Sequence, residues 1–293
     1  MKKTPFNNAD IAILLVMQRG EITEHHIYKK IAAVQKDPHN REVLNHIARD
    51  ELGHYGIWKH YTGQEVAPGR IRIWFYYLIA RILGITFAIK LMEEVERRAQ
   101  SVDKSLLGKI PEIQTILTNE ENHEREIISL INEDRLRYMG SVVLGLNDAL
   151  VEFVGMLAGL TFALQDSRII AVAGLITGVA ASLSMGSSEY LSQKSEGAAT
   201  SPKKAAVYTG IAYMATVAML ILPFLVLGSP YYALVVTLLV AVMVIFLFTF
   251  YISVAGDLPF RRRFTEMLVI SFGIAAISFV IGIVIRTFLN VTV

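Results

Sequence analysis

Residues 8–135 carry apolar positions at the spacing of amphipathic helices. In "ARDELGHYGIW", residues 48–58, apolar residues recur every three or four positions, which places them on one face of a helix. Glu51 and His54 share that face, about 60° apart around the helix axis. A buried carboxylate is costly unless something compensates its charge. The pattern therefore predicts a compensating group in the interior of this part of the chain.

The Glu-x-x-His spacing occurs a second time, about 70 residues further along the chain. "LTNEENHEREII" contains Glu120 and His123, again three positions apart. Glu120 is in phase with Ile113, Ile116 and Ile127, so it also faces the core. One such pair is weak evidence, but two pairs on separate amphipathic helices indicate a shared site.

A four-helix carboxylate site takes a glutamate from each of the other two helices. In the third helix, Glu93 and Glu96 lie on the apolar side. The first helix offers Glu21 and Glu24; we prefer Glu21, which is two turns from Tyr28, and leave Glu24 open. The predicted ligands of two divalent metal ions are therefore Glu21, Glu51, His54, Glu93, Glu96, Glu120 and His123.

This pattern of residues resembles the ferritin-like superfamily, and rubrerythrins most closely. The resemblance covers nearly all of residues 8–135 and implies a four-helix bundle that binds two iron ions, with both Glu93 and Glu96 able to serve as ligands. The chain has no cysteine, so it lacks the cysteine-ligated rubredoxin module through which electrons enter many rubrerythrins. The absence of cysteine also excludes disulfides, thiolate metal sites and iron–sulfur clusters.

The second half of the chain consists of long apolar runs. The chain is 53% hydrophobic, and residues 1–137 hold 20 of its 28 Lys and Arg residues and 19 of its 26 Asp and Glu residues. Five runs are long enough to cross a bilayer, at about 139–164, 169–190, 207–227, 231–254 and 267–286. The fold class we predict is all-α, with a four-helix soluble domain at 1–137 followed by a five-helix transmembrane domain at 138–293.

Two other apolar stretches are not interpreted as spans. Residues 71–92 are about long enough to cross, but they carry Arg81 and Lys90 and continue directly into "EEVERR", so we expect a buried helix of the bundle. The short apolar stretch near the N-terminus follows Asp10 and precedes no small-residue cleavage pattern. We interpret it as the beginning of a helix and not as a signal peptide.

Basic residues in the connections between spans indicate the topology. They cluster in the second and fourth connections, as Lys194, Lys203, Lys204, Arg261, Arg262 and Arg263. Because cytoplasmic connections carry an excess of lysine and arginine, we expect residues 1–137 in the cytoplasm and the C-terminus outside the cell membrane. The net charge of +2, without a basic face interleaved with aromatics, gives no indication of nucleic-acid binding.

Acidic residues inside the spans point to a cation pathway. Asp148 and Glu152 lie one turn apart in the first span, on a stripe that includes Gly145, Gly155, Met156 and Gly159. In the second span, Met185 and Glu189 lie on one face. Intramembrane acids usually mark an ion path or a proton relay. Carboxylates with a thioether favour Fe(II), Mn(II) or a similar first-row ion.

The motifs "GLNDALVEFVGMLAG" and "SLSMGSSEYLSQKS" resemble the first and second helices of the vacuolar iron transporter family. The resemblance implies proton-coupled movement of Fe(II) or Mn(II) in a homodimer, with Asp148, Met185 and Glu189 in the pathway. The two halves together look like membrane-bound ferritin-like proteins. We therefore expect an exporter of Fe(II) or Mn(II) whose soluble domain captures metal, with Asp148 and Glu152 alternating between metal and proton.

An enzymatic alternative stays open. The chain could be a membrane-anchored di-iron oxidase or peroxidase, with the second half mainly an anchor. An anchor needs only one span and no intramembrane acids, which makes this hypothesis the weaker one. Storage is discounted, because a subunit fused to five spans cannot readily close a ferritin shell.

Overall fold

The computed structural model describes residues 6–99, 110–129, 138–197 and 200–289. Every regular element in these ranges is a helix, and they contain no strand, which confirms the all-α prediction for this part of the chain. The chain divides into two compact units, Met1–Glu133 and Asp134–Val293. We call them the front unit and the membrane unit and describe each by itself.

The front unit contains five helices in its described residues, one more than the four-helix bundle we predicted. Their bounds are α1 Asn8–Val34, α2 Pro38–Thr62, α3 Arg70–Leu83, α4 Ile85–Ala99 and α5 Ile113–Ser129. The long helices α1 and α2 form an antiparallel hairpin, whose tight connection favours side-by-side packing. Their facing sides supply about half of the buried apolar residues described in this unit, including Leu14, Ile27, Ile31, Leu44, Ile47 and Trp58.

Local capping explains where α1 and α2 begin. The Asn7 side chain accepts a hydrogen bond from the backbone N–H of Asp10 at 2.8 Å, and the Asp10 carboxylate accepts one from the N–H of Asn7 at 3.1 Å. The Asp37 carboxylate accepts from the N–H of Asn40 at 2.9 Å. These bonds satisfy first-turn donors that otherwise have no partner in the helix. The α2 helix ends at Gly63, whose φ of 66° suits glycine.

The prediction of one buried helix over residues 71–92 is wrong. Gly84, with φ 104° and ψ 156°, separates α3 from α4, a backbone conformation that is essentially restricted to glycine. The α4 helix buries Phe87, Ile89 and Met92, but α3 buries only Tyr76 and Ala80. Because the segment is apolar on more than one face, its sequence pattern did not reveal which face packs inward.

The described residues of the membrane unit form five helices, and all five are long and apolar enough to cross a bilayer, as predicted. They are α6 Met139–Leu164, α7 Ser167–Ser195, α8 Pro202–Val226, α9 Pro230–Gly256 and α10 Phe260–Leu289. The central helix is α6, which contacts each of the other four. Large side chains fill the interior around it, including Leu150, Phe153, Tyr213, Ile221 and Phe224.

Glycines let α6 pack closely against other helices of the same chain. A methyl group on Gly145 would lie 2.3 Å from the carbonyl oxygen of Thr209 in α8. On Gly159 it would lie 3.0 Å from the carbonyl oxygen of Ser278 in α10. Gly145 thus lies against α8, and Gly159 lies against α10. Small residues allow such close approach of backbones in membranes.

Candidate functional site

Helices α1, α2 and α5 bring four predicted ligands together in the front unit. One ligand atom from each of Glu21, Glu51, His54 and Glu120 lies within 4.8 Å of the others. Among the described residues, this is the one group in which three or more histidine, aspartate or glutamate side chains bring their ligand atoms within 4.8 Å of one another. Glu21, Glu51 and His54 are buried, whereas Glu120 is half-buried at the edge.

The Glu51 carboxylate lies between the two histidines of the Glu-x-x-His pairs. Its Oε2 is 3.2 Å from Nδ1 of His54, and its Oε1 is 3.3 Å from Nδ1 of His123. Glu120 faces the same two nitrogens, at 3.2 Å from His54 and 3.9 Å from His123. Glu21 adds a third carboxylate 3.6 Å from Nδ1 of His54. The two pairs, which are far apart in sequence, form one site.

Three further side chains hold these ligands in place, and sequence reasoning missed all of them. Trp58 donates a hydrogen bond from Nε1 to Oε1 of Glu21 at 2.9 Å. Asp50 accepts one from Nε2 of His123 at 3.0 Å, and Nδ2 of Asn119 lies 3.3 Å from Nε2 of His54. A carboxylate on the remote ring nitrogen orients a metal-binding histidine and increases its basicity. Trp58 could have been found, since it lies two turns from Glu51 on the same face.

Opposite charges compensate the buried carboxylates. Burial opposes protonation of His54, but hydrogen bonds to Glu120, Glu21 and Glu51 raise its pKa to about 12. Burial raises the pKa of Glu51, yet the neighbouring imidazoles of His123 and His54 outweigh burial and lower it to about 2. Burial raises the pKa of Glu21 well above its ordinary value. Protons on the histidines thus supply the positive charge that the sequence required, and a divalent cation can supply the same charge.

One further structural observation indicates that these side chains can bind a metal ion. His123 Nδ1 is buried and has no hydrogen-bond partner, although Oε1 of Glu51 lies only 3.3 Å away. Imidazole and carboxylate together suit first-row divalent cations. The buried group of glutamates and histidines can therefore bind a metal.

The remaining candidate ligands are Glu24, Glu93 and Glu96. Glu24 is buried but lies 4.0 Å from Arg72 and outside the group, so the geometry favours Glu21. Glu93 lies half-buried on α4. Burial of Tyr28 raises the pKa of that residue well above its ordinary value, and the negative charge of Glu93 raises it further. Glu96 belongs to α4, but its side chain lies outside the described residues.

In the membrane unit, α6 and α7 carry the predicted pathway residues. Tyr213 of α8 donates a hydrogen bond to the carboxylate of Glu152. Glu189 is buried and accepts hydrogen bonds from Ser141 Oγ at 2.7 Å and Gln193 Nε2 at 3.1 Å. Sequence reasoning missed Tyr213 and Ser141, although each is a hydroxyl within an apolar run.

Within one chain, the described residues do not gather the predicted pathway residues into a single ligand group. In the described ranges, no group of three ligating side chains includes Asp148, Glu152 or Glu189. Asp148 is half-buried, and Glu152 is exposed on the surface of the single chain. Met185 is partly buried and packs against the apolar interior of the membrane unit.

Comparison with known proteins gives one match. Residues 139–201, which span α6, α7 and the connection to α8, match the VIT family. All four predicted pathway residues, Asp148, Glu152, Met185 and Glu189, lie in this range. No curated protein and no solved structure matches the chain. The chain is a multi-pass membrane protein whose residues 139–201 are similar to the VIT family.

Proposed function

We propose that this protein exports Fe(II) or Mn(II) from the cytoplasm in exchange for protons. The observation that carries the proposal is the VIT match at residues 139–201, which contains three intramembrane carboxylates and a methionine. Acids within a membrane core are costly and typical of ion pathways. Carboxylate and thioether donors suit first-row divalent cations.

The proposed orientation places the front unit in the cytoplasm and the C-terminus outside. The basic residues at the C-terminal end of α7 and at the starts of α8 and α10 support it, because they make up six of the eight Lys and Arg residues after position 137. On the other side, the facing ends of α6 and α7 carry Arg168 alone, and the facing ends of α8 and α9 carry no Lys or Arg. Positive residues favour the cytoplasmic side.

In this proposal the front unit captures the cargo. Glu21, Glu51, His54 and Glu120 offer mixed oxygen and nitrogen donors, and His123 adjoins them. A ferritin-like site for two ions takes Glu93 and Glu96 from α4 as further ligands. Capture from the cytoplasm holds metal on the same chain that transports it, which favours export.

Along the pathway, each carboxylate holds either the cation or a proton. Asp148 and Glu152 lie one turn apart, so a cation bound by one is within reach of the other. Tyr213 holds the Glu152 carboxylate in one orientation. An exposed carboxylate in a membrane span requires cover by protein or water, and we propose that a second copy of the chain covers Glu152 in a homodimer.

Metal flux into proteoliposomes under an imposed pH gradient tests the transporter. The expected result is proton-dependent uptake of Fe(II) or Mn(II) by the wild type and loss of uptake in Asp148→Asn. Glu196→Gln is the matched control, since Glu196 is exposed at the end of α7 and outside the apolar run. Absence of flux in the wild type at every pH gradient would contradict the proposal.

A second candidate function is Fe(II) oxidation by a membrane-anchored di-iron enzyme. The buried glutamate and histidine group of the front unit favours it, because this donor set fits metal ions independently of the spans. Oxygen consumption on addition of Fe(II), lost in Glu51→Gln, would support the enzyme. The same variant with unchanged flux through the membrane unit would show that the two activities are separate.

A further inference from the structure

Helix α3 presents an exposed apolar stripe. Its members recur every three or four residues along the helix and are 54% to 88% exposed; they are Ile71, Trp74, Phe75, Leu78 and Ile82. Val16 of α1, 72% exposed, lines the same cavity as Ile71 and extends the stripe. Soluble proteins rarely expose a contiguous apolar surface of this kind, and those that do usually bind something with it.

Positive charge flanks the stripe. Residues 70–83 contain three arginines, Arg70, Arg72 and Arg81, and no acidic residue. Lys30 of α1 places its Nζ 3.6 Å from the centre of the Trp74 ring. A helix with an apolar face and a basic border is typical of segments that lie in a membrane surface.

The beginning of α3 is suited to a phosphate group. Gly69, its N-cap residue, offers no side chain to the first backbone N–H groups. Arg19, Arg70 and Arg72 line one cavity there, of about 660 Å³. Helix N-termini attract anions, and arginine pairs well with phosphate oxygens.

We propose that α3 lies in the plane of the membrane surface and binds anionic phospholipids. Its apolar stripe enters the boundary of the acyl chains, while Arg70, Arg72 and Arg81 contact headgroup phosphates. Trp74 and Tyr77 are residue types enriched at that depth. Only about ten residues of sequence connect α5 to the first span, so the front unit is tethered to a membrane domain by a short segment.

A second copy of α3 is a poorer occupant of the stripe. Two such helices paired face to face would bring six arginines together, since each copy contributes three and no acid. Like charges along a shared seam oppose association. An anionic lipid surface instead neutralises the same arginines.

Tryptophan fluorescence of the whole chain in nanodiscs tests the proposal. The protein has two tryptophans: Trp74 is 61% exposed on α3, and Trp58 is 1% exposed in the front-unit core. Lipids brominated on their acyl chains quench only tryptophans that reach them. In metal-free protein, we expect brominated phosphatidylcholine mixed with phosphatidylglycerol to quench the Trp74 share of the emission. Trp74→Phe should abolish that quenching, with Trp58 as the remaining, unquenched emitter.

The charge dependence is tested with Arg70→Gln/Arg81→Gln. Each arginine near an anionic surface changes the ratio of docked to undocked helix about fivefold, so the double variant should reduce it about thirty-fold. Arg41→Gln on α2 is the control and should change nothing. Equal quenching without phosphatidylglycerol would overturn the role of the arginines. If only water-soluble acrylamide quenches Trp74, the stripe faces water and membrane docking is overturned. If neither quencher reaches Trp74, a protein partner covers the stripe, which also overturns membrane docking.

Discussion

Asp50 accepts a hydrogen bond from Nε2 of His123 at 3.0 Å, and the other ring nitrogen of His123 points towards Glu51 at 3.3 Å. The imidazole is therefore held between two carboxylates from consecutive positions of α2. Of these two carboxylates, Glu51 is buried in the site, whereas Asp50 is half-buried at its edge. Asp50 thus positions a ligand without belonging to the ligand group.

Asp50→Asn should weaken metal binding without unfolding the front unit. Loss of the carboxylate removes the group that orients the His123 ring, and such losses typically reduce metal affinity roughly 10- to 100-fold. Titration calorimetry of the full chain with Mn(II) measures the change. Glu42→Gln, an exposed carboxylate on the same helix, is the control and should keep wild-type affinity. Equal affinities in the two variants would contradict this role for Asp50.

Metal binding to the front unit should release protons and strengthen as the pH rises. Carboxylate neighbours raise the pKa of His54 to about 12, against the effect of burial, and the pKa of His123 to about 9 in the same way. Both rings are therefore protonated near neutral pH before metal enters, and a cation on either nitrogen must displace that proton. Each displaced proton makes the affinity rise about tenfold per pH unit.

Calorimetry in buffers of different ionisation enthalpy counts these protons directly. A binding enthalpy that does not depend on the buffer would show that no proton leaves, contrary to the expectation. Glu51→Gln provides the comparison, because it removes the carboxylate that faces both histidines. In that variant fewer protons should be released and less metal bound.

Glycine positions on the membrane helices should differ sharply in their tolerance of alanine. Gly145→Ala places a methyl group 2.3 Å from the Thr209 carbonyl oxygen, so α6 and α8 must separate. Such overpacking typically costs about 1 to 3 kcal/mol. Gly273→Ala in α10 meets nothing within 4 Å and should be neutral or stabilising. Thermal unfolding in detergent compares the two; similar melting temperatures would contradict the packing of α6 on α8.

The parts of this fold that follow from sequence are those set by long, repeated patterns. Five apolar runs predicted five membrane helices because span length follows directly from bilayer thickness. Two Glu-x-x-His pairs predicted convergence because each acid shares a helix face with core residues. The structure places Glu51 and Glu120 around the same His54 nitrogen.

The remaining features depend on single residues or on tertiary contacts. One glycine, Gly84, divides a segment whose apolar content predicted a continuous buried helix. Asp50 and Asn119 reach the site from neighbouring positions that no periodicity distinguishes. The sequence shows the glycine stripe of α6, but its spacing alone does not identify α8 and α10 as the helices that pack against Gly145 and Gly159.

Tyr213→Phe should reduce metal flux while the protein stays folded. The Tyr213 hydroxyl donates to the Glu152 carboxylate across α6 and α8, and the ring packs in the core of the membrane unit. Phenylalanine keeps the ring but removes the donor; a hydrogen bond to a charged group contributes roughly 1.5 to 3 kcal/mol. If that contribution holds Glu152 in its transport orientation, proteoliposome flux should fall at least about tenfold.

Tyr208→Phe on the same helix is the matched control, because its ring stacks on Tyr138 and its change leaves Glu152 untouched. Wild-type flux in this variant, with a loss in Tyr213→Phe and an unchanged melting temperature in both, would assign the loss to the missing hydroxyl. Equal flux in both variants would show that the hydrogen bond to Glu152 serves the packing of α6 on α8 and not the movement of the cation.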